Sequence, residues 1–377
     1  DGAFELEVLG NVNSFILSLG PTNGANTYGA TLVTSGAIRA LNSGGISPGA
    51  LTVDLNGQVD TFGNNVTVAS LNNGINGAGV IYNNSTATNG TLTVGTDDAS
   101  TSFDGTFGNG STRALGLTKV GAGTLTLSGV NTNTGNVTIT GGTLAMTGAG
   151  SFGNAALISV GNGAFYDVSA AGGTLTLNSG QTLGGNGTVT GNVIASSGAT
   201  IAPGTSVGTL NVAGDVTLGG GMTMELNRTL SPNSDRLVAT GTITGGGTLT
   251  TTNIGPALQV GNTFQLFPSG VSGITANLQT VDVLNGVTYT WNNNIASSGS
   301  ITVASVTAIA PPTLNVSQTG NSLSFSWSGP FKLQSQTNSL SVGVSSNWGN
   351  YPGGSTSPVN VTINPANPTV FFRLSLQ

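Results

Sequence analysis

Three aspartates, Asp97, Asp98 and Asp104, form a close group of carboxylates in the sequence. An enzyme that cleaves polysaccharides needs two or three carboxylates on one face, with Arg or Lys beside them to stabilise the developing charge. Arg113 and Lys119 are the nearest basic residues. Because Asp97 and Asp98 lie in a Gly-Thr-Asp-Asp-Ala-Ser segment typical of a turn, we predict that the three acids are solvated. A divalent metal site is the first alternative, and a catalytic site is the second.

Other chemistry is limited by composition, because the sequence contains no Cys and no His. Disulfides, thiol nucleophiles, imidazole ligands and a His general base are therefore excluded. The sequence contains seven Lys and Arg residues and 13 Asp and Glu residues, and its basic residues do not form a stripe. Nucleic acid is therefore not an expected partner. We expect no cofactor and no enzymatic activity.

Two further patterns have simple interpretations. The neighbours Asp235 and Arg236 are expected to form a surface ion pair, worth at most about 1 kcal/mol. The glycine-rich segments Gly184–Gly187 and Gly219–Gly221 have no following helix and no Lys, so we predict corners with positive φ and not phosphate loops.

The sequence predicts that short strands separated by glycine position the candidate acids and bases. Glycine accounts for 61 of the 377 residues, yet 37% of the chain is hydrophobic and clustered in alternating segments, which indicates burial and not disorder. In the stretch Leu117–Met146, apolar residues alternate with Thr and Ser in three short segments, and this places the apolar side chains on one face. Those apolar residues are Leu125, Leu127, Val137, Ile139, Leu144 and Met146. The stretch therefore predicts one or two coils of a β-solenoid, a coil being one turn of the chain around the axis. We expect its Asn side chains to stack as hydrogen-bonded ladders of identical amides along the axis.

The segments Gly121–Gly129, Asn131-Thr132 and Gly142–Leu144 resemble the autotransporter-associated β-strand repeat of Gram-negative bacteria. A looser similarity extends from Leu32 to Val303. The resemblance implies a right-handed parallel β-helix in an extracellular passenger region, adhesive or structural in role, and it implies no reaction. No apolar run approaches the roughly 20 residues of a membrane-spanning helix. We also expect no C-terminal membrane barrel, which would need many more alternating strands of about ten residues.

The sequence divides into three parts. We predict an N-terminal strand segment at 1–20, a β-solenoid at 21–309 and a small antiparallel β-sandwich at 310–377. Ala310-Pro311-Pro312 marks the last boundary, because consecutive prolines cannot join a ladder of hydrogen bonds. The sandwich concentrates aromatic residues, and we expect Trp327 to fill its core.

The leading functional hypothesis is an extracellular structural protein that self-associates head to tail into a fibre or surface layer. A solenoid exposes unpaired strand edges at its ends unless it is capped. The N-terminal segment is either a capping coil or an edge strand that joins a neighbouring subunit. Candidate residues for the joint are Phe4, Leu6, Val8, Phe15, Ile16, Leu17, Leu19, Phe371 and Phe372.

The second hypothesis is an adhesin or carbohydrate-binding protein, with Trp348 and Tyr351 contacting an extracellular polysaccharide. A polysaccharide-degrading enzyme is the third hypothesis. The first residue is Asp1, which is consistent with removal of a secretion signal and with an extracellular or cell-surface location.

Overall fold

The computed structural model describes residues 5–9, 16–19, 28–364, 366–367 and 369–376. Phe4, Phe15 and the side chain of Ile16, which we assigned to an assembly joint, lie outside the described residues. The described chain is all-β and contains one short helix, α1 (Ile295–Ser298). The predicted fold class is confirmed: a parallel β-solenoid of about 11 turns is followed by small antiparallel sheets.

The solenoid begins with a sheet of parallel strands in the order β1-β3-β4-β7-β10, with β2 also paired to β3 and β6 to β4. These strands are β1 (Glu5–Val8), β2 (Ile16–Leu19), β3 (Ala30–Ala40), β4 (Ala50–Asp60), β6 (Leu71–Asn73), β7 (Val80–Tyr82) and β10 (Thr106–Gly108).

Two long parallel sheets then run along the solenoid, and each receives about one strand per coil. The first sheet contains β5 (Asn65–Val68), β8 (Gly90–Val94), β11 (Leu115–Lys119), β13 (Val137–Ile139), β15 (Leu157–Val160), β18 (Thr182–Gly185), β21 (Thr200–Pro203), β24 (Gly221–Leu226), β27 (Thr248–Asn253) and β29 (Thr275–Asn277). The second contains β9 (Thr101–Phe103), β12 (Thr124–Leu127), β14 (Thr143–Thr147), β16 (Phe165–Ala170), β19 (Thr188–Thr190), β22 (Thr209–Ala213) and β25 (Arg236–Ala239).

A third, shorter parallel sheet completes the later coils, and antiparallel sheets follow it. The third sheet contains β17 (Thr174–Leu177), β20 (Asn192–Ala195), β23 (Val216–Leu218) and β26 (Ile243–Thr244). The antiparallel strands are β28 (Thr263–Gln265), β30 (Val281–Asp282), β31 (Val287–Asn294), β32 (Ser300–Ala308), β33 (Asn315–Thr319), β34 (Ser322–Ser326), β35 (Phe331–Thr337), β36 (Gly349–Asn350), β37 (Val359–Thr362) and β38 (Val370–Leu376).

Alternation within each strand builds the solenoid core. The six apolar residues of the 117–146 stretch are all buried, and residues in adjacent coils pair in register, as Leu125 does with Leu144 and Leu127 with Met146. Stacking like side chains removes apolar surface from water at about 25 cal/mol per Å². Each coil is therefore stabilised by its two neighbours.

Glycine allows the coils to approach closely at their corners. Gly121 has a φ of 71°, and a Cβ there would lie 1.9 Å from the carbonyl oxygen of Gly95 in the preceding coil. Gly185 also has positive φ, as predicted for its segment. The prediction is wrong for Gly219–Gly221, none of which has positive φ; a Cβ on Gly220 would instead lie 2.3 Å from the Ala199 carbonyl oxygen. Close backbone approach explains this glycine.

The two ends of the solenoid differ. At the beginning, β1 and β2 both pair with β3 in parallel, and among the described residues no strand pairs with their outer edge. At the far end, the outer edge of β25 is covered, because the Leu237 N–H donates to the Leu266 carbonyl at 3.0 Å. Leu266 follows β28, which pairs antiparallel with the first residues of β32. Within the described residues, no strand thus pairs with the outer edge of the first rung, formed by β1 and β2, or with those of β26 and β29 at the far end, whereas the edge of β25 is covered.

The chain separates into two compact units. The first holds the solenoid, and the second consists of 256–262, 279–291 and 303–377. Within the second unit, the sheets β33-β34-β37 and β36-β35-β38 enclose one core that includes Phe325, Trp327 and Leu333. The Trp327 indole is buried and donates its Nε1–H to the Phe331 carbonyl at 2.8 Å, so the predicted core role is confirmed. The boundary at 310 stays a prediction.

Candidate functional site

The three predicted acids serve turns and contacts between coils. Asp97 Oδ1 accepts the Ala99 N–H at 3.1 Å, and Asp98 Oδ1 accepts the Ala122 N–H of the next coil at 2.6 Å. Asp104 lies beyond β9 and accepts from Asn73 Nδ2 at 2.5 Å and from Ser128 Oγ at 2.6 Å. All three are exposed. Within the described residues, no group of three or more Asp and Glu is arranged to hold a metal ion.

The two bases near these acids point elsewhere. Lys119 is 1% exposed, and its ammonium donates to the carbonyls of Val120 (2.6 Å), Gly121 (3.1 Å) and Gly141 (3.4 Å). Burial lowers the pKa of Lys119, and the charges of Asp98 and Asp97 oppose that shift. Arg113 is exposed and donates from Nε to the Thr86 carbonyl. Lys119 therefore closes a corner of the solenoid and is not available to a substrate.

Asp235 is a buried carboxylate that sequence reasoning missed. It is 2% exposed, with Oδ1 accepting the Gly208 N–H at 2.8 Å and Oδ2 accepting the Glu225 N–H at 2.7 Å. The predicted surface ion pair with Arg236 is therefore wrong, because the carboxylate turns into the fold and Arg236 Nε is buried without a partner in the described structure. Burial raises the pKa of Asp235 to about 7, the two backbone donors oppose that shift, and the nearby Glu225 charge adds to it.

Glu225 and Asp235 share an open cleft of about 340 Å³, whose rim includes Thr205, Ser206 and Thr252. One carboxylate oxygen of Glu225, Oε2, is buried without a hydrogen-bond partner in the described structure. Two adjacent carboxyl groups, one with a raised pKa, are the kind of pair that can exchange a proton. Here, however, both Asp235 oxygens accept backbone N–H groups, one from Gly208 just before β22 and one from Glu225 on β24. Asp235 is therefore placed to fix the end of the loop that follows β24.

Buried amides link the coils, but not as stacks of identical amides. Asn131 Oδ1 accepts the Phe107 N–H at 3.0 Å, and its Nδ2 donates to the Ser151 carbonyl at 3.0 Å. Gln181 donates to two carbonyls, those of Phe152 and Ala155. These amides satisfy backbone groups that face inward at the corners, where strand ladders are interrupted. The expected amide ladder is thus replaced by amide-to-backbone bonds at these positions.

In the sheet that begins the solenoid, Arg39 on β3 and Asp60 on β4 form an ion pair, with Nε and Oδ2 separated by 2.8 Å. Asp60 is fully buried and also accepts the N–H groups of Phe62 and Asn84 through Oδ1. The Arg39 guanidinium lies 4.2 Å from the centre of the Phe62 ring. Because the carboxylate has three donors, its burial is compensated, and the pair joins adjacent coils.

In the second unit, Trp348 and Tyr351 have different environments. The Arg373 guanidinium lies 4.4 Å from the centre of the Trp348 ring, so one face of this indole is occupied. Tyr351 lines a cleft of about 510 Å³ together with Phe372, Thr337 and Asn367. No charged side chain lines this cleft among the described residues.

Phe371 and Phe372 lie on β38 and are half-buried. The Phe372 ring is 4.5 Å from that of Phe325, measured between ring centres, so it packs the two sheets together. Their predicted place at an assembly joint stays a prediction.

Residues 117–146 match the family model of the passenger-associated transport repeat. This is the stretch in which the sequence showed its clearest coil, and a search of curated proteins found no match. The repeat and the parallel β-solenoid together fit an autotransporter passenger-type repeat protein, which indicates an extracellular or cell-surface location. Among the described residues, no helix has the length and apolar character needed to span a bilayer.

Proposed function

We propose that this passenger-type chain is an extracellular structural protein whose copies associate head to tail into a fibre or surface layer. The strand edge at the first rung carries the proposal. Among the described residues, no strand pairs with the outer edge of β1 and β2, whereas the outer edge of β25 at the far end is covered. Unpaired edges of this kind are templates for another chain.

A contact between two different surfaces of neighbouring copies can be repeated from copy to copy without forming a closed ring. If the first rung of one copy meets a different surface of the next, every added copy offers a new first rung, and an open filament results. The solenoid itself suits such a role, because its core is built by stacking and its polar groups at the corners are used internally. Leu6, Val8, Leu17 and Leu19 of the first rung are the described residues that we place at the joint.

Electron microscopy and analytical ultracentrifugation of the purified chain test this proposal. We expect filaments or a concentration-dependent series of oligomers. Leu17→Lys should suppress assembly, because the added ammonium would have to lose its water when the joint forms. Ile194→Lys is the matched control, since Ile194 is partly exposed on β20 in the middle of the solenoid. Monodisperse monomers at high concentration would contradict the proposal.

The uncharged cleft of the second unit favours a second candidate function, binding of a neutral polysaccharide. Aromatic rings pack on sugar faces, and amide and hydroxyl groups bond to sugar hydroxyls. We expect Tyr351→Ala to abolish binding on a glycan array, and Trp348→Ala to reduce it little, because Arg373 already occupies one face of the indole. Loss of binding in Trp348→Ala alone would place the sugar on the other indole face.

A further inference from the structure

A loop of the second unit, residues 338–347 between β35 and β36, is held at its neck by one buried side chain. Gln336 Oε1 accepts from Ser345 N–H (2.8 Å), Ser345 Oγ (2.9 Å) and Asn338 Nδ2 (2.6 Å). Its Nε2 donates back to the Ser345 carbonyl at 3.1 Å. Asn338 Nδ2 also donates across the loop to the Gly343 carbonyl at 2.8 Å. The loop therefore has a defined conformation.

This clamped loop exposes three aliphatic side chains that alternate with small residues. Leu340 is 80% exposed, Val342 65% and Val344 61%. Single exposed aliphatic residues are common, whereas exposed apolar residues that lie together mark interaction surfaces. Because the loop is ordered beforehand, a partner that covers these side chains loses little conformational freedom on binding.

The distribution of charge along the chain favours a second copy of the same chain as the partner. Residues 310–377 contain two bases, Lys332 and Arg373, and no acid, whereas residues 1–309 contain all 13 acids and the other five bases. The formal charges of the two parts are therefore +2 and −8. Arg373 lies on β38, exposed beside Trp348.

The acidic part includes the first rung. Glu5 and Glu7 are exposed on β1, and Leu9, directly after β1, is 66% exposed. This edge thus combines backbone that no described strand pairs with, two carboxylates and an aliphatic side chain. The clamped loop offers exposed aliphatic side chains, and its neighbour Arg373 offers a positive charge that complements the two carboxylates.

We infer that the clamped loop, with Arg373 beside it, is the docking surface that receives the first rung of a second copy of this chain. The inference rests on the proposed self-association and says which surfaces meet. The clamped loop and Arg373 supply exposed aliphatic side chains and a positive charge that complement the first rung, so we place the complementary surface on the second unit of another copy. Opposite charges speed the encounter and set its orientation, and burial of the aliphatic side chains supplies the affinity.

The first test compares two triple variants of the full chain by light scattering and ultracentrifugation. The loop variant carries Leu340→Ser, Val342→Ser and Val344→Ser. The control carries Val260→Ser, Leu284→Ser and Val316→Ser, three aliphatic residues that are also exposed in the second unit. We expect the concentration needed for assembly to rise at least about tenfold in the loop variant and to stay unchanged in the control. Circular dichroism should show the same fold for all three proteins.

The second test is a charge exchange. Arg373→Glu, and separately Glu5→Lys with Glu7→Lys, should each weaken assembly, and mixing these two proteins should restore it as mixed pairs. A purely structural role of Arg373 would give no such rescue.

The outcomes separate the inference from the proposed function. If the unaltered chain does not assemble, the proposed function fails and the inference with it. If it assembles and the loop variant does so equally well, only the inference is overturned. A lipid surface is the alternative partner, and sedimentation with phosphatidylglycerol vesicles tests it. If the chain stays monomeric and binds vesicles only when the loop is intact, the loop docks on lipid, and the inference that it receives a second copy is overturned.

Discussion

The side-chain oxygen of Asn131 accepts the backbone N–H of Phe107, one coil earlier in the solenoid, at 3.0 Å. The amide nitrogen of the same side chain donates to Ser151, one coil later. One residue of the 117–146 repeat therefore joins three successive coils. This gives a physical reason for an Asn at this place in the repeat, since its amide has an acceptor oxygen and a donor nitrogen that serve the two neighbouring coils at once.

We predict that Asn131→Ala lowers the free energy of unfolding by about 1–3 kcal/mol, because it leaves the buried Phe107 N–H without its acceptor and leaves the Ser151 carbonyl only the bond from the Asn131 backbone N–H. Asn131→Asp should also destabilise, since its carboxylate would face the Ser151 carbonyl. Urea unfolding followed by circular dichroism measures the change. Asn84→Ala is the control, because the Asn84 side chain is exposed. Equal stability of Asn131→Ala and Asn84→Ala would show that the bridge contributes nothing.

A second prediction concerns the buried ammonium of Lys119. Lys119→Met keeps the aliphatic stem but leaves three carbonyl oxygens without their donor. We expect a loss of about 2–3 kcal/mol in the free energy of unfolding, since hydrogen bonds to charged groups are the stronger kind. Arg113→Met should change stability little, because Arg113 is exposed. A Lys119→Met chain as stable as the parent would mean that desolvation of the ammonium cancels its hydrogen bonds.

The third prediction is a pH dependence due to Asp235. Its pKa of about 7 in the folded chain exceeds the value near 3.9 of an unfolded Asp, so the fold favours the protonated form. The contribution to stability is therefore present below about pH 4 and is lost as the pH rises to about 7. We expect the melting temperature to fall over this range, and Asp235→Asn, though less stable overall, to lack the slope.

Asp215 provides the opposite control for that experiment. Hydrogen bonds from the backbone and side chain of Thr242 hold the pKa of Asp215 below its usual value. Its contribution is lost as the pH falls, so Asp215→Asn should leave the slope between pH 4 and 7 intact. If both variants keep the slope, another group must be responsible for it.

The fourth prediction tests the neck of the clamped loop. Gln336→Leu preserves the size of the buried side chain but removes four hydrogen bonds. Hydrogen exchange at the Ser345 amide should become faster, because its acceptor is lost, while exchange in the solenoid stays the same. Gln318→Leu, at an exposed position on β33, is the comparison. Unchanged protection of Ser345 would show that the loop is ordered without Gln336.

Strict alternation made the solenoid predictable from sequence. Leu125, Leu127, Val137 and Ile139 are buried as expected, because a strand with one covered face leaves little freedom of register. The same alternation also predicts that Lys119 is buried, which we did not infer from the sequence. Leu115, Leu117 and Lys119 follow the period of two on β11, which places the Lys on the buried face.

Residues outside strands were not predictable in this way. Asp235 lies in the loop before β25, where no periodicity gives its direction, and its partners Gly208 and Glu225 are distant in sequence. Asn131 was noticed as part of the repeat, but its bonds depend on which backbone groups the neighbouring coils leave open. The tertiary path of the chain decides both, and a single sequence does not contain it in a local pattern.

All three tryptophans, Trp291, Trp327 and Trp348, belong to the second unit. Indole fluorescence therefore reports only on that unit, whereas the far-ultraviolet signal of the chain comes mainly from the many strands of the solenoid. The two optical signals give separate denaturation curves for the two parts of one molecule, without any label or engineered reporter.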